Sequence, residues 1–201
     1  MGVITIGRQY GSDGRKIAQE LANRLGFQFY DKELIRLAAA ESNIPYDELV
    51  KADEKRARIW AYPAENEIPT DDRWYYSVND ILYDTEKKII TEKAEKEDCV
   101  IVGRCANYIL RGRSDCLSVF VYAPMDFRIR TVMEREYLSE KEARARIRKM
   151  DKQRRYHYNY FYRPELGRIW MSMISVSTAV NVPSKKCAKV LEGVYHSLRA
   201  Y

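Results

Sequence analysis

Val3-Ile4-Thr5-Ile6-Gly7-Arg8-Gln9-Tyr10-Gly11-Ser12-Asp13-Gly14-Arg15-Lys16, followed by Ile17-Ala18-Gln19-Glu20-Leu21-Ala22, decides how this chain folds. A short β-branched run breaks into a glycine-bearing loop, and the loop opens at once into an amphipathic helix with Ile17, Leu21 and Leu25 on one side. Glycines let a loop turn its N–H groups inward, and the positive end of the helix dipole points at the same spot, which suits phosphate. Against the phosphate-loop pattern G-x-x-x-x-G-K-[ST], the stretch Gln9 to Lys16 keeps Gly14. Gln9 stands at the first Gly, Arg15 at the Lys and Lys16 at the Ser/Thr. A tight strand-to-helix turn is the plainer reading of Gly11 and Gly14. Arg8, Arg15 and Lys16 favour the phosphate, because three cations crowded in one loop repel one another until an anion sits among them.

Outward from that loop, the chain of 201 residues suits a single domain with a substantial core. A composition of 46% hydrophobic and 32% charged residues is globular, not disordered. No run approaches the ~18 apolar residues of a membrane span, and no basic-then-apolar leader precedes Val3, so neither membrane nor secretion is expected. Cys99, Cys105, Cys116 and Cys187 form no C-x-x-C pair, which argues against a metal site or disulfide framework and for a reducing cytoplasm. The formal charge of +6 suits phosphorylated partners, nucleic acid or an anionic surface. Arginine is dense from Arg128 to Arg168, and acid is dense from Asp47 to Asp98.

Further strands are expected at 27–30, 99–102, 117–122 and 173–177, alternating with helices. Gly26 ends the first helix, and Asp31 is expected to cap the second. Residues from Asn43 to Asp72 read as irregular, broken by Pro45, Pro63 and Pro69, with Trp60 and Tyr62 among charges. One long helix should run from Asp72 to Glu97 and another from Met125 through Tyr137. Ser139 and Glu142 form a capping box that starts a helix toward Arg155. A C-terminal helix begins after Pro183, with Val190, Leu191 and Val194 inward. Strands that are continuous apolar runs, alternating with helices, predict an α/β fold with a five-stranded parallel sheet and helices on both faces.

Ligands of such sheets bind at the carboxyl ends of the strands. Gly7-Arg8 and Gly103-Arg104 follow two of those runs and should meet over one crevice. The segment Arg144 to Arg155 reads either as a solvated cationic face or as a lid that closes over phosphates. Tyr156-His157-Tyr158-Asn159-Tyr160-Phe161-Tyr162 beside it resembles a single-strand stacking platform as much as a lid. His157 among tyrosines is more often packing than catalysis.

Ile4 to Arg15, Phe29-Tyr30-Asp31-Lys32-Glu33-Leu34-Ile35, and Val100-Ile101-Val102-Gly103-Arg104-Cys105-Ala106-Asn107-Tyr108-Ile109-Leu110 together resemble the cytidylate kinase-like proteins, a branch of the P-loop nucleoside monophosphate kinases. Met150 to Phe161 resembles their arginine lid, and Ile174 to Thr178 their last strand. The resemblance implies one P-loop kinase-like domain over 1–201, a variable acceptor-side insertion at 43–76 and a lid at 139–165. It implies transfer of the ATP γ-phosphate to a nucleoside monophosphate such as CMP, with Mg²⁺. Donor phosphates would lie on Gly11, Ser12, Asp13, Gly14, Arg15 and Lys16, and the acceptor on Asp31, Arg36, Gly103 and Arg104. Arg15, Asp151 and Arg154 would be catalytic, the last two as a D-x-x-R motif, and no residue is assigned as a metal ligand. Relative to true cytidylate kinases, Arg15 and Lys16 replace the loop Lys and Ser/Thr, and Cys105 replaces an Asp. Two other classes stay open: a phosphate- or nucleotide-binding protein without catalysis, and a binder of RNA or single-stranded DNA.

Overall fold

The computed structural model describes residues 2–54, 78–161, 174–178 and 182–199. Its strands are β1 (Val3–Arg8), β2 (Gln28–Tyr30), β3 (Cys99–Val102), β4 (Cys116–Tyr122) and β5 (Ile174–Ser177). All pair in parallel, in the order β2-β3-β1-β4-β5. The helices are α1 (Gly14–Leu25), α2 (Glu33–Ser42), α3 (Tyr46–Glu54), α4 (Val78–Lys96), α5 (Ala106–Ile109), α6 (Met125–Glu136), α7 (Glu140–Phe161) and α8 (Ser184–Arg199). The α/β class with a five-stranded parallel sheet, read from alternation alone, is the class observed.

The chain separates into two compact units, one of Met1–Asp31 with Lys93–Tyr201 and one of Lys32–Glu92. In the first, register puts Ile4 and Ile6 of β1 beside Val100 and Val102 of β3 and Leu117 and Val119 of β4, on one face. Ile17, Ala18 and Leu21 of α1 and Cys187, Ala188, Leu191 and Tyr195 of α8 cover that face. Val3, Thr5 and Ile101, on the opposite face, are equally buried. Thus β3 and the first four residues of β1 are buried on both faces and are apolar apart from Thr5, whose hydroxyl bonds Ser118. The central place of β1 carries its C-terminal loop to the middle of the sheet's carboxyl edge. The second unit holds α2, α3 and most of α4, with Leu34, Ile35, Ala38, Leu49, Leu82, Ile89 and Ile90 buried.

Four local expectations are corrected. Residues 46–54 are helical where an irregular segment is expected. Pro45 starts that helix: its carbonyl accepts from the N–H groups of Glu48 and Leu49, and a proline at a helix start lacks only a donor that would go unused. Asp31 does not cap α2, which begins at Glu33 after Lys32. Val190 is 60% exposed, because the buried stripe of α8 steps through Cys187, Ala188, Leu191 and Tyr195. Finally, α7 runs past Arg155 to Phe161, so the aromatic stretch belongs to the same helix as the arginines. The Ser139–Glu142 capping box is present, with the Ser139 N–H donating to Glu142 Oε2 at 2.9 Å. Trp60, Tyr62, Met173 and the segments 72–77 and 162–165 lie outside the described residues. Among the described residues no helix is long and apolar enough to cross a membrane.

Candidate functional site

The loop between β1 and α1 is tied down from inside. Gln9 N–H donates to the Val121 carbonyl at 2.9 Å, and the Ser12 hydroxyl lies 2.9 Å from the Gln9 carbonyl and 3.2 Å from that of Val121. Thr178, just past β5, donates its hydroxyl to the Ser12 carbonyl at 2.9 Å. Gly11 has φ +79°, and a Cβ there would stand 2.8 Å from the Arg128 carbonyl oxygen. The glycine is required twice over, by conformation and by space. Asp13 also takes a left-handed turn, at φ 58°. Its carboxylate meets Lys16 Nζ at 3.2 Å, and the Ser184 hydroxyl at 3.4 Å. The N–H groups of Gly14, Arg15 and Lys16 open α1 and have no intrahelical acceptor, so the loop presents donors and the positive end of a helix dipole together.

Beside the loop stand charges from distant parts of the first unit. Arg15 Nε donates to Asp31 Oδ2 at 2.6 Å, and Arg8 Nη2 lies 3.7 Å from Asp31 Oδ1. One carboxylate at the end of β2 thus serves two guanidiniums. Gly103, Arg104 and Cys105 follow β3 with φ +76°, +56° and +53°. Three successive left-handed residues, two of them with side chains, are a local strain of the kind that marks functional turns. The Gly103 N–H donates to the Ile6 carbonyl at 3.0 Å, which anchors this turn to β1.

One face of α7 reaches both turns. Asp151 accepts the Tyr10 N–H on Oδ1 at 2.8 Å and pairs with Arg128 through Oδ2. Arg128 Nε in turn donates to the Tyr10 carbonyl at 2.7 Å. Arg154 Nη1 donates to the Arg8 carbonyl at 3.2 Å, with its guanidinium 5.2 Å from the centre of the Tyr10 ring. Burial pulls the Arg154 guanidinium below its usual pKa, against the opposing attraction of Asp151, Tyr10 and Asp31. Farther along, His157 Nδ1 lies 3.6 Å from Cys105 Sγ, and Asn107 Nδ2 donates to Tyr158 Oη at 2.9 Å.

Of the residues singled out from sequence, Gly11 to Lys16, Asp31, Gly103, Asp151 and Arg154 gather along this carboxyl edge, and Arg104 occupies the turn after β3. Arg36 belongs to the second unit, on α2, with its guanidinium 3.6 Å from Glu33. Pattern reading passed over Arg128 and Tyr10. Arg128 is 3% exposed on an arginine-rich helix, and nothing in its spacing distinguishes it from its solvated neighbours. Tyr10 carried a weak signal, a bulky ring inside a glycine loop. The donor set does not fit a magnesium ion held by the protein. Position 16 is a lysine, the Ser12 hydroxyl turns into the loop, and Asp13 is engaged by Lys16. Among the described residues no group of three or more His, Cys, Asp or Glu is placed to hold a metal.

Comparison with known proteins adds to this geometry. A family model described as cytidylate kinase-like matches residues 3–178. A cytidylate kinase of Methanopyrus kandleri is 27% identical over 169 residues, covering 80% of this chain and 76% of the relative. A crystal structure of an uncharacterized protein from Eubacterium ventriosum superposes with a TM-score of 0.70 at 27% identity, covering 98% of this chain and 99% of that one. Shikimate kinase from Bacteroides thetaiotaomicron has a TM-score of 0.55 at 13% identity, covering 97% and 98% of the two chains. That likeness speaks to fold, and the fold is that of the P-loop kinases.

Proposed function

We propose, from the premise that this chain belongs to the cytidylate kinase-like family, that it transfers the γ-phosphate of ATP to a nucleoside monophosphate, with a CMP-like acceptor. Family and fold make the protein kinase-like and nucleotide-binding; the donor, the acceptor and the residue roles are our reading. Phosphoryl transfer asks for positioning and charge stabilisation more than for covalent help. In this reading Gly11 to Lys16 hold the donor phosphates on backbone N–H groups and the α1 dipole. Asp31, Gly103 and Arg104 serve the acceptor. Arg15 and Arg154 stabilise the transferring charge, for which a planar guanidinium is well shaped. Asp151 acts by holding the Tyr10 backbone and Arg128. Magnesium enters as part of the MgATP substrate, since the side chains of the described residues offer it no ready ligand set.

The observation that carries the reading is Arg154: a guanidinium 146 residues away in sequence is hydrogen-bonded to the carbonyl where β1 enters the loop. The test is ADP release from MgATP in the presence of CMP, UMP, AMP or GMP. CMP should give the largest kcat/KM, and Arg154→Met should lower kcat by about 10³-fold or more, the scale of a transition-state arginine. No turnover with any acceptor removes the enzymatic reading.

A second reading, nucleotide binding without transfer, is favoured by one feature. The two side chains at the positions of the loop Lys and Ser/Thr are both engaged by carboxylates, Arg15 by Asp31 and Lys16 by Asp13. It predicts calorimetric ATP binding that Arg15→Ala abolishes, with no ADP formed. For location we propose the cytoplasm, on the ground that all four cysteines are free thiols. Nucleic acid is not assigned as a partner, because Asp151, Arg154, His157 and Tyr158 of α7 are turned to the sheet's own turns.

A further inference from the structure

β1 ends on Arg8, and the side chain of Arg8 accounts for two glycines far apart in sequence. A Cβ at Gly14 would stand 2.6 Å from Arg8 Cβ, and a Cβ at Gly103 would stand 1.9 Å from Arg8 Nη1. The stem therefore crosses the first residue of α1, and the guanidinium rests on the backbone of the second Gly-Arg turn. No methyl group can be added at either place without moving the arginine. Arg8 thus spans the interval from the phosphate loop to the turn that carries Arg104. Asp31 steadies it from the end of β2, and Arg154 holds its carbonyl from α7.

Charge explains what such an arrangement is for. Two carboxylates, Asp31 and Asp151, stand among four guanidiniums, those of Arg8, Arg15, Arg128 and Arg154. The surplus is positive, and the largely buried guanidiniums of Arg8, Arg128 and Arg154 repel more strongly than they would in water. A guanidinium offers five N–H donors in a plane, a fork that matches phosphate oxygens in pairs. We propose that Arg8 is a substrate-binding residue that grips the phosphoryl group as it passes between donor and acceptor. The inference rests on the transfer reading above and adds to it a cation that pattern matching places outside the phosphate-loop motif. An oxygen of the acceptor phosphate attacks the γ-phosphorus, the bond from that phosphorus to the β,γ-bridging oxygen breaks, and ADP leaves with the electron pair. Arg8 gives and takes no proton; it remains a cation opposite charge that builds up in flight.

The test compares the full chain with Arg8→Met and Arg8→Lys, following melting temperature, MgATP turnover with CMP, and calorimetric affinities for ATP and ADP. Arg8→Met should melt within a few degrees of wild type, lose kcat by about 10²-fold or more, and bind ATP no better than ADP. Arg8→Lys should restore part of kcat, since it keeps the charge and loses the fork. Retained kcat in Arg8→Met, or a loss that Arg8→Lys shares in full and that follows a fall in melting temperature, overturns the proposal and leaves the kinase reading standing. If the wild-type chain turns over no acceptor, an ATP-over-ADP preference that Arg8→Met abolishes still supports Arg8 while the transfer reading fails. A preference that survives in Arg8→Met, or its absence from wild type, overturns Arg8 as well.

Discussion

Two parts of the molecule meet β1, and different forces hold them. Beneath the sheet, α1 and α8 bury eight of their own side chains against seven from β1, β3 and β4, a core that runs from Ile4 to Tyr195 among the described residues. Above its carboxyl edge, α6 and α7 share, among the described residues, a smaller buried cluster of Ile129, Val132, Ala143 and Ile147, with Tyr10, Met125, Met133 and Leu138 packed against it, and reach the β1–α1 loop also through the Arg128–Asp151–Tyr10 network and Arg154. Burial of apolar surface is non-directional and indifferent to what is bound nearby. Charge-assisted hydrogen bonds depend on geometry, on salt and on any anion that competes for the same arginines. The difference teaches that stability is stored in one place and responsiveness in the other. An arm tied to a loop by arginines can be untied without opening the core beneath the sheet.

The largest effect should follow from attacking the apolar side. Leu21 is fully buried between sheet and helix, so Leu21→Ala is expected to lower the unfolding free energy by about 2–5 kcal/mol in urea titration. Ile147→Ala removes an equally buried side chain from the small cluster. There, hydrogen exchange should speed up through α6 and α7 while β1 and β3 keep their protection. Equal loosening of both regions by Ile147→Ala would erase the contrast.

The sheet itself carries a pH signature, with Cys99 and Cys116 on the face of Val3, opposite to α1 and α8. Burial pushes the Cys99 thiol up to about 12 and the Cys116 thiol up to about 11, against about 8.5 in an unfolded chain. Burial moves Tyr30 and Tyr195 upward too. Between the unfolded and folded values the unfolded chain has released protons that the fold retains, so stability falls as pH rises. The contribution is complete below about pH 8 and drains from about pH 9 toward 11–12. Urea unfolding of wild type and of a Cys99→Ala, Cys116→Ala double variant, from pH 7 to pH 11, should give a shallower decline for the variant. Parallel declines would show that these thiols are not coupled to folding.

On the polar side, Asp151→Asn keeps the shape and removes the charge that faces Arg128, which is 3% exposed. Because the Asp151 side chain is 24% exposed, the expected loss is about 1–3 kcal/mol, below that of a fully buried pair. Limited proteolysis within α7 should become faster and more dependent on salt, whereas the melting of the α1–α8 core should hardly change. Resistance to protease equal to wild type would mean that the apolar cluster alone docks the arm.

These outcomes bear on how much was legible before folding. The sheet could be read because its causes are local: Cys99–Val102 is a continuous apolar run, Val3–Ile6 is β-branched at every position, and Gly26 and the Ser139–Glu142 pair punctuate the helices. Pro45 misled because a proline that ends one segment also starts the next. The candidate site was legible in pieces, the loop, the Gly-Arg turn and the D-x-x-R spacing. Their mutual pairing was not, because it joins residues remote in sequence: Tyr10 and Asp151 are 141 positions apart, and Arg128 lies 118 from the carbonyl it holds. Gly103 is the clearest case. Its glycine answers to an arginine on another strand, and no window of sequence contains both.

The smallest effect tests whether the arm's local helix signals matter once its contacts are made. Ser139 caps α7 through Glu142, whose carboxyl is held below its ordinary range by bonds from the Ser139 hydroxyl and N–H. Ser139→Ala removes the hydroxyl and leaves the N–H, so the loss should be about 1 kcal/mol at most. If α7 is held mainly by its capping and propensity, exchange should quicken along the whole helix. If the contacts at Asp151 and Arg154 hold it, the quickening should stop within the first turn, before Ile147. Exchange that quickens as far as Asp151 would make the capping box, and not the loop network, the support of the arm.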